Sequence, residues 1–325
     1  MNILVTGGLG YIGSHLCVEL LKHKLNVFVL DDLSNTSIKV KNKIEKISKK
    51  KIKFFKNNLE NIETISKILK KRKIAIVFHL AGAKAVNEST INPYKYFKKN
   101  SFCTMNLLKA MQRSNVNKII FSSSATVYGN ENKNPIKETG SLQPINPYGT
   151  SKLISEKIII DFKKSIESLN YIILRYFNPI GYHESKLLKD DNSSDNLIPN
   201  LIKSLKFKKK FRIYGNNYNT KDGTAIRDYI HIKDLISAHI SSINFIKKNK
   251  SSVFNVGTSK GYSVLDVIKS CEKVINKKIN FKFVKKRKGD PAKIFCCSKK
   301  IKKKLNWKAK FTLLKMCRDA IQINN

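Results

Sequence analysis

Acidic side chains are scarce in this chain. Its 325 residues carry 23 Asp and Glu against 64 Lys and Arg, a formal net charge of +41. An excess of that size suggests nucleic acid or another polyanion as a partner. Arginine is scarce too, at only seven positions, although it is the better bidentate reader of phosphate and guanine. The lysines run through most of the helical patterns instead of forming one block, and Ile and Asn are abundant beside them. The charge therefore reads as a chain-wide bias: weak non-specific polyanion binding is expected, and no specific nucleic-acid site.

Long apolar runs are missing as well. No uncharged stretch approaches the ~20 residues that span a bilayer, and no signal-peptide pattern precedes the first strand, so no membrane partner is expected. The six cysteines form no C-x-x-C pair, and Cys296 and Cys297 are adjacent, which does not suggest a disulfide framework and reads as a reduced, cytoplasmic protein. His15, His79 and His231 lie inside motifs without ligand spacing, so they read as packing or hydrogen-bonding residues and no metal is expected.

What is present is rhythm. NILVTG, NVFVLD, KIKFF, AIVFHLA, KIIFSSS and YIILRYF are short apolar runs, separated by helical patterns at about 11–23, 61–71, 93–113 and 148–168. Strand–helix alternation predicts an α/β fold of the Rossmann type, a doubly wound parallel sheet. After Phe177 the rhythm breaks, with a polar stretch over 183–196. The expected organisation is a dinucleotide-binding domain over 1–176 and a smaller α/β substrate domain over 177–325, with segments near 228–257 returning to the first.

GGLGYIGSH follows the first strand and places Gly7, Gly10 and Gly13 where a pyrophosphate could rest on the next helix's N-terminus. Asp31 ends the second strand 18 positions after Gly13, where an acid suits the ribose hydroxyls of NAD and repels the 2′-phosphate of NADP. Further on, Ser124 lies in FSSSATVYG, and NPYGTSK sets Tyr148 and Lys152 one helical turn apart. A free tyrosine titrates near ~10, so a lysine ammonium on the same helix face is expected to lower it toward a working value. The serine hydroxyl would hold the sugar oxygen whose proton moves. Tyr94/Lys98 and Tyr229/Lys233 repeat the spacing and read as ordinary helix or strand surface. Gly7–Gly13, Asp31, Ala81–Lys84, Ser122–Ser124 and Phe177–Asn178 all end or follow strands, where open parallel sheets bind ligands.

With GGLGYIGSH, HLAGAKAVNES, FSSSATVYGN, NPYGTSK, LRYFNPIG, DGTAIRDYIH and KGDPA in this order, the chain resembles the extended short-chain dehydrogenase/reductases, and more narrowly the UDP-glucose 4-epimerases, from Met1 to about Trp307. The resemblance implies tightly held NAD, UDP-glucose and UDP-galactose as substrates, and inversion at C4 through a 4-keto intermediate. It implies Tyr148 as acid/base, Ser124 on the reacting oxygen, and Lys152 on the nicotinamide ribose. For NAD it carries Tyr11 and Ile12 to the pyrophosphate, Asp31, Asn35 and Thr36 to the adenosine ribose region, and Asn58 and Leu59 to adenine. Leu80, Ala81, Gly82 and Lys84 go to the nicotinamide half and Phe177 to the nicotinamide. Asn178, Asn196, Arg227 and Arg287, with Asp290 nearby, would anchor UDP.

The chain departs from the family at Asn58, where Asp is usual, and at Lys99, where Asn is frequent. Helices 93–113 and 148–168 resemble those that pair two subunits, so a homodimer is expected. Other UDP-sugar 4-epimerases, acting on N-acetylglucosamine or glucuronate, remain the alternative reading of the substrate. A non-catalytic nucleotide- or RNA-binding protein is the alternative from another class.

Overall fold

The computed structural model describes residues 1–188, 196–287 and 290–321. Seven strands form one sheet: β1 (Asn2–Thr6), β2 (Asn26–Asp31), β3 (Lys53–Lys56), β4 (Ile76–His79), β5 (Lys118–Ser124), β6 (Asn170–Tyr176) and β11 (Ser252–Val256). Their order across the sheet is β11-β6-β5-β4-β1-β2-β3, the doubly wound arrangement the alternation predicts. β1 runs parallel to both β2 and β4, β2 to β3, and β4 to β5. Helices cover both faces of such a sheet, which is why β1, β2 and β4 are nearly continuous apolar runs and not alternating ones.

The core on one face joins Leu4, Val77, Ile119 and Ile173 from the strands to Ile65 and Leu69 of α3 (Ile62–Lys71), and to Leu107, Leu108 and Met111 of α6 (Cys103–Arg113). Ile159 of α7 (Pro147–Ser165) completes it. α3 starts where Asn61 accepts a hydrogen bond from Thr64 N, and Lys70 and Lys71 sit in its last turn, where cations favour the helix dipole. α7 starts in the same way, with the Asn146 side chain accepting from Gly149 N and Pro147 in the first turn.

The helix expected over 93–113 is interrupted. It opens as α5 (Pro93–Tyr96), widens to a π turn over Phe97–Phe102, and continues as α6. π turns concentrate at functional sites, and this one carries Asn100 and Ser101 into the interior, at 2% and 7% exposure.

The chain divides into two compact units: residues 1–127, 144–175 and 236–254, and residues 128–143, 176–235 and 255–325. In the second unit β7 (Asn178–Ile180) pairs with β10 (Tyr229–His231), so residues 229–231 do not rejoin the large sheet, whereas β11 does. Tyr229 is 4% exposed and therefore core, not the surface residue its spacing suggested; Tyr94, at 74%, is surface. β9 (Ile226–Arg227) lies between β12 (Tyr262–Ser263) and β14 (Lys293–Ile294), and β8 (Phe211–Tyr214) pairs with β13 (Phe281–Val284). Of the polar stretch 183–196, residues 189–195 lie outside the described residues. No helix is long and apolar enough to cross a membrane among the described residues.

Candidate active site

The strand order reverses direction between β1 and β4, so a crevice opens at their carboxyl ends. Gly7 follows β1 and Leu80 follows β4 directly. Gly10 N donates to Gly7 O at 3.2 Å and Ser14 N to Gly10 O at 2.9 Å, so the glycine turn winds straight into α1 (Tyr11–Lys22), which bears Tyr11 and Ile12 in its first turn. That helix has no side-chain cap and no acid in its first turn, which leaves its N–H groups and positive dipole end to an anion.

The glycines serve different ends. A Cβ on Gly13 would lie 2.2 Å from Gly7 O, and one on Gly7 (φ +67) 2.7 Å from Ala81 N, so the fold itself requires both. A Cβ on Gly10 would meet only Gly7 O, at 3.4 Å, and its φ of −70 suits any residue. Nothing in the protein demands glycine there. The space left open beside the first turn of α1 is what a dinucleotide pyrophosphate lying on that turn requires.

Asp31 ends β2 at 5% exposure and accepts from Leu9 N and Leu33 N, each at 3.0 Å. Burial pushes its carboxyl pKa up, against the two backbone donors that lower it. An ionised carboxylate has room for about four donors, so acceptor capacity remains for ribose hydroxyls. Thr36 Oγ1 donates to Leu9 O at 2.8 Å, and Asn35 is exposed on the same loop. Asn58 Oδ1 accepts from Glu60 N at 3.0 Å, and Leu59 beside it is 4% exposed. Lys99, a departure from the family pattern, reaches Asp32 Oδ2 at 3.2 Å and Ser34 Oγ at 2.9 Å and so ties the π turn to the loop after β2. These residues fit NAD.

Ser124, Tyr148 and Lys152 converge in the same unit. Ser124 ends β5 and Tyr148 opens α7. Burial pushes the Tyr148 hydroxyl pKa above its ordinary value, and a hydrogen bond with Ser124 lowers it. Lys152 is 5% exposed; its Nζ donates to Ser122 O at 2.8 Å and sits 4.9 Å from the centre of the Phe121 ring. Burial pulls its pKa down to about 8, with Glu156 acting the other way. The expected lowering of Tyr148 by Lys152 is thus not what the protein alone displays: desolvation dominates at Tyr148, and the ammonium is bonded to a backbone carbonyl. The loop after β4 is held against this group. Ala83 N donates to Asn100 Oδ1 at 2.8 Å, Asn100 Nδ2 donates to Ser151 Oγ at 2.8 Å, and a Cβ on Gly82 would strike Asn100 Oδ1 at 2.6 Å. Lys84, further along that loop, is exposed.

The remaining predicted residues belong to the second unit. Arg227 pairs with Asp290 at 2.5 Å and donates to Ile226 O at 2.7 Å. Tyr218 donates its hydroxyl to Asp290 Oδ2 at 3.2 Å, and the Arg287 guanidinium lies 4.2 Å from the centre of the Tyr214 ring. Asp228 is fully buried and accepts from Thr258 N, Thr258 Oγ1 and Ser259 N at 2.8, 2.6 and 3.0 Å, which fixes β9 and so Arg227. Phe177 is 3% exposed, whereas Asn178 on β7 and Asn196 at the start of α8 (Leu197–Lys206) are exposed.

Sequence reasoning passed over several residues. Thr126 Oγ1 donates to Ser124 Oγ at 2.9 Å, and Asn100 clamps the loop after β4. His79, read from the sequence as a packing or hydrogen-bonding residue, is fully buried and lies 2.8 Å from Thr6 Oγ1 and 3.0 Å from Thr104 Oγ1. Burial and the Lys152 charge hold His79 down at about 3, so it stays neutral. Glu156 was legible in principle: it stands one turn past Lys152 as the one acid in the run SKLISEKIII.

Residues 4–320 match the family model described as GDP-mannose 4,6 dehydratase. The UDP-glucose 4-epimerase of Bacillus subtilis (strain 168) is 41% identical over 324 residues, 98% of this chain and 96% of the relative. That of Dictyostelium discoideum is 41% identical over 324 residues, covering 98% and 94%. Among solved structures, the UDP-glucose 4-epimerase of Stenotrophomonas maltophila, with bound NAD and formylated UDP-arabinopyranose, superposes with a TM-score of 0.97 at 36% identity, covering 100% of this chain and 98% of that one. The Bifidobacterium longum enzyme, in complex with NAD+ and UDP, gives 0.94 at 39% identity, covering 99% and 98%. The chain belongs to the NAD-dependent epimerase/dehydratase family and, within it, to the UDP-glucose 4-epimerases.

Proposed function

We propose that the protein interconverts UDP-galactose and UDP-glucose through a 4-keto sugar, with NAD retained between turnovers. The observation that carries this reading is the hydrogen-bonded Ser124–Tyr148 pair beside the buried Lys152. Bound NAD supplies a hydride acceptor for C4 and returns the hydride to the opposite face of the sugar. Tyr148 takes the proton of the C4 hydroxyl and gives one back in the second half-reaction. Ser124 holds the reacting oxygen, with Thr126 donating to it in turn. Lys152 places a cation on the helix face that carries Tyr148 and binds the nicotinamide ribose. Gly7, Gly10, Tyr11, Ile12, Gly13, Asp31, Asn35, Thr36, Asn58, Leu59, Leu80, Ala81, Gly82, Lys84 and Phe177 are assigned to NAD. In the second unit Asn178, Asn196, Arg227, Arg287 and Asp290 are assigned to UDP. Holding the diphosphate firmly and the hexose loosely lets the sugar present either face, which is binding strength distributed to serve the chemistry.

A dehydratase, the activity that describes the family model, needs an acid/base pair directly after the serine, and Ala125 and Thr126 occupy those positions. Two copies pair through residues 93–113 and 148–168, a reading supported in the first of these segments by the exposed Tyr94, Phe102 and Met105. Six unpaired thiols suit a reducing cytoplasm, and no specific nucleic acid is assigned as a partner.

The test is conversion of UDP-galactose to UDP-glucose by purified protein without added NAD. Wild type converts, and Tyr148→Phe loses about 10²–10⁴-fold in kcat while keeping its nucleotide. Silence of the folded wild type toward UDP-galactose, UDP-N-acetylglucosamine and UDP-glucuronate, with NAD supplied, would overturn the reading.

A further inference from the structure

Behind Lys152 lies an ion pair with no contact to substrate or cofactor in the mechanism above. Glu156, at 1% exposure, accepts from Arg175 Nε at 3.0 Å and from Arg175 Nη2 at 2.7 Å, and Arg175 is 3% exposed. Ser123 donates its hydroxyl to the same carboxylate. Burying two charges this completely costs more than burying an apolar pair of equal volume, so added stability is a weak reason for it.

Its position supplies a better one. Glu156 stands one turn past Lys152 on α7, and Arg175 comes from β6. Ser123 separates Ser122, whose carbonyl accepts from Lys152 Nζ, from Ser124, which bonds Tyr148. The network therefore grips both segments that carry the reacting group. The cluster also holds two buried cations, Lys152 and Arg175, against a single carboxylate. Resting on the epimerase reading, we propose that Ser123, Glu156 and Arg175 form a positioning unit in which the Glu156 carboxylate is the counter-charge of the Lys152 ammonium beside Tyr148, and Arg175 and Ser123 hold that carboxylate in place.

Other charged groups near α7 are committed elsewhere. Glu88 pairs with Lys95, Lys98 with Glu60, Lys99 with Asp32 and Arg113 with Glu63, while Lys109 donates to Gln112. From β4, His79 is neutral, and from β6, Tyr171 stays protonated, raised by burial and by Glu156 itself. Tyr96 meets Tyr148 edge-on at 6.2 Å, with burial and its bond to Glu88 pushing its own hydroxyl up. Among the described residues Glu156 is thus the one carboxylate that acts on Lys152, whose pKa burial brings down to about 8. Without it the lysine loses its proton near neutrality, and Tyr148 loses its neighbouring cation.

The experiment is the pH profile of kcat for NAD-loaded protein. Losing the carboxylate in Glu156→Gln moves the alkaline limb down by about 1 pH unit or more. Losing the guanidinium in Arg175→Met frees the Glu156 carboxylate from the partner that holds it near Lys152 and moves the limb down as well. A purely structural pair would lower kcat in both variants without displacing the limb. Because either single change strands a buried charge, Glu156→Gln with Arg175→Met serves as the folded control. It too shifts the limb downward, since Glu156 is the partner whose charge reaches Lys152. An active wild type together with a folded double variant whose limb has not moved overturns this proposal alone. An inactive wild type overturns the epimerase reading and takes this one with it.

Discussion

At the scale of single residues, Gly10 and Gly13 carry the same atoms for different reasons. The Cβ that Gly13 lacks would sit 2.2 Å from Gly7 O, backbone that cannot step aside, whereas position 10 has room and an ordinary φ. Gly13→Ala should therefore destabilise the fold by about 3 kcal/mol or more, read as a fall in the urea midpoint. Gly10→Ala should keep the wild-type midpoint of nucleotide-free protein but carry much less NAD after gel filtration; wild-type NAD content in that variant would argue against a pyrophosphate at this turn. The spacing of the glycines, of Asp31 and of Ser124, Tyr148 and Lys152 was legible because each depends on local chain geometry: a strand end, a tight turn, one turn of helix. What Tyr148 and Lys152 do to one another was not. That depends on desolvation by neighbours distant in sequence and on the Ser122 carbonyl, which captures the ammonium.

Among elements, the π turn over Phe97–Phe102 has no sequence signature, since one widened turn barely disturbs an apolar period. Its effect is local and large. It brings Asn100 inward to bind Ala83 and Ser151, while Lys99 stays close enough to the surface to reach Asp32. Residues 229–231 illustrate the opposite difficulty. A short apolar strand gives no sign of its partner, and here it chose β7 over the large sheet, burying Tyr229 on the way. Strands and helices of the first unit were readable by period because β1, β2 and β4 are covered on both faces. The short strands β9, β12 and β14, of two residues each, were not. Under the proposed pairing of two copies, the exposed side chains Phe102 and Met105, at 46% and 40%, are the apolar face offered to the partner. Sedimentation should give a dimer for wild type and a monomer for Phe102→Asp combined with Met105→Lys, without loss of helical signal. A dimeric double variant would move the interface elsewhere.

For the whole molecule, +41 is a strong self-repulsion that the compact state must bear. The described ion pairs are mostly local or at the surface, where each contributes about 0–1 kcal/mol, so they do not offset it. Screening should help: the thermal midpoint is expected to rise by several degrees between about 10 mM and about 200 mM sodium chloride, as the Debye length shrinks from about 30 Å toward about 8 Å. A flat or falling midpoint would mean the lysines are compensated in a way the pairs do not reveal.

The six thiols give the molecule a property separate from its chemistry. All are buried and none is in a disulfide. Burial also pushes Cys103 up to about 11 and raises Cys17 and Cys296 as well, so thiolate is scarce even where reagent could enter. An alkylating agent in water is therefore blind to the native protein and marks only chains that have opened. Cys17 and Cys103 belong to one unit, and Cys271, Cys296, Cys297 and Cys317 to the other. The order in which the two sets acquire label would time-stamp, from the native sequence alone, whether the two halves of the chain breathe together or in turn.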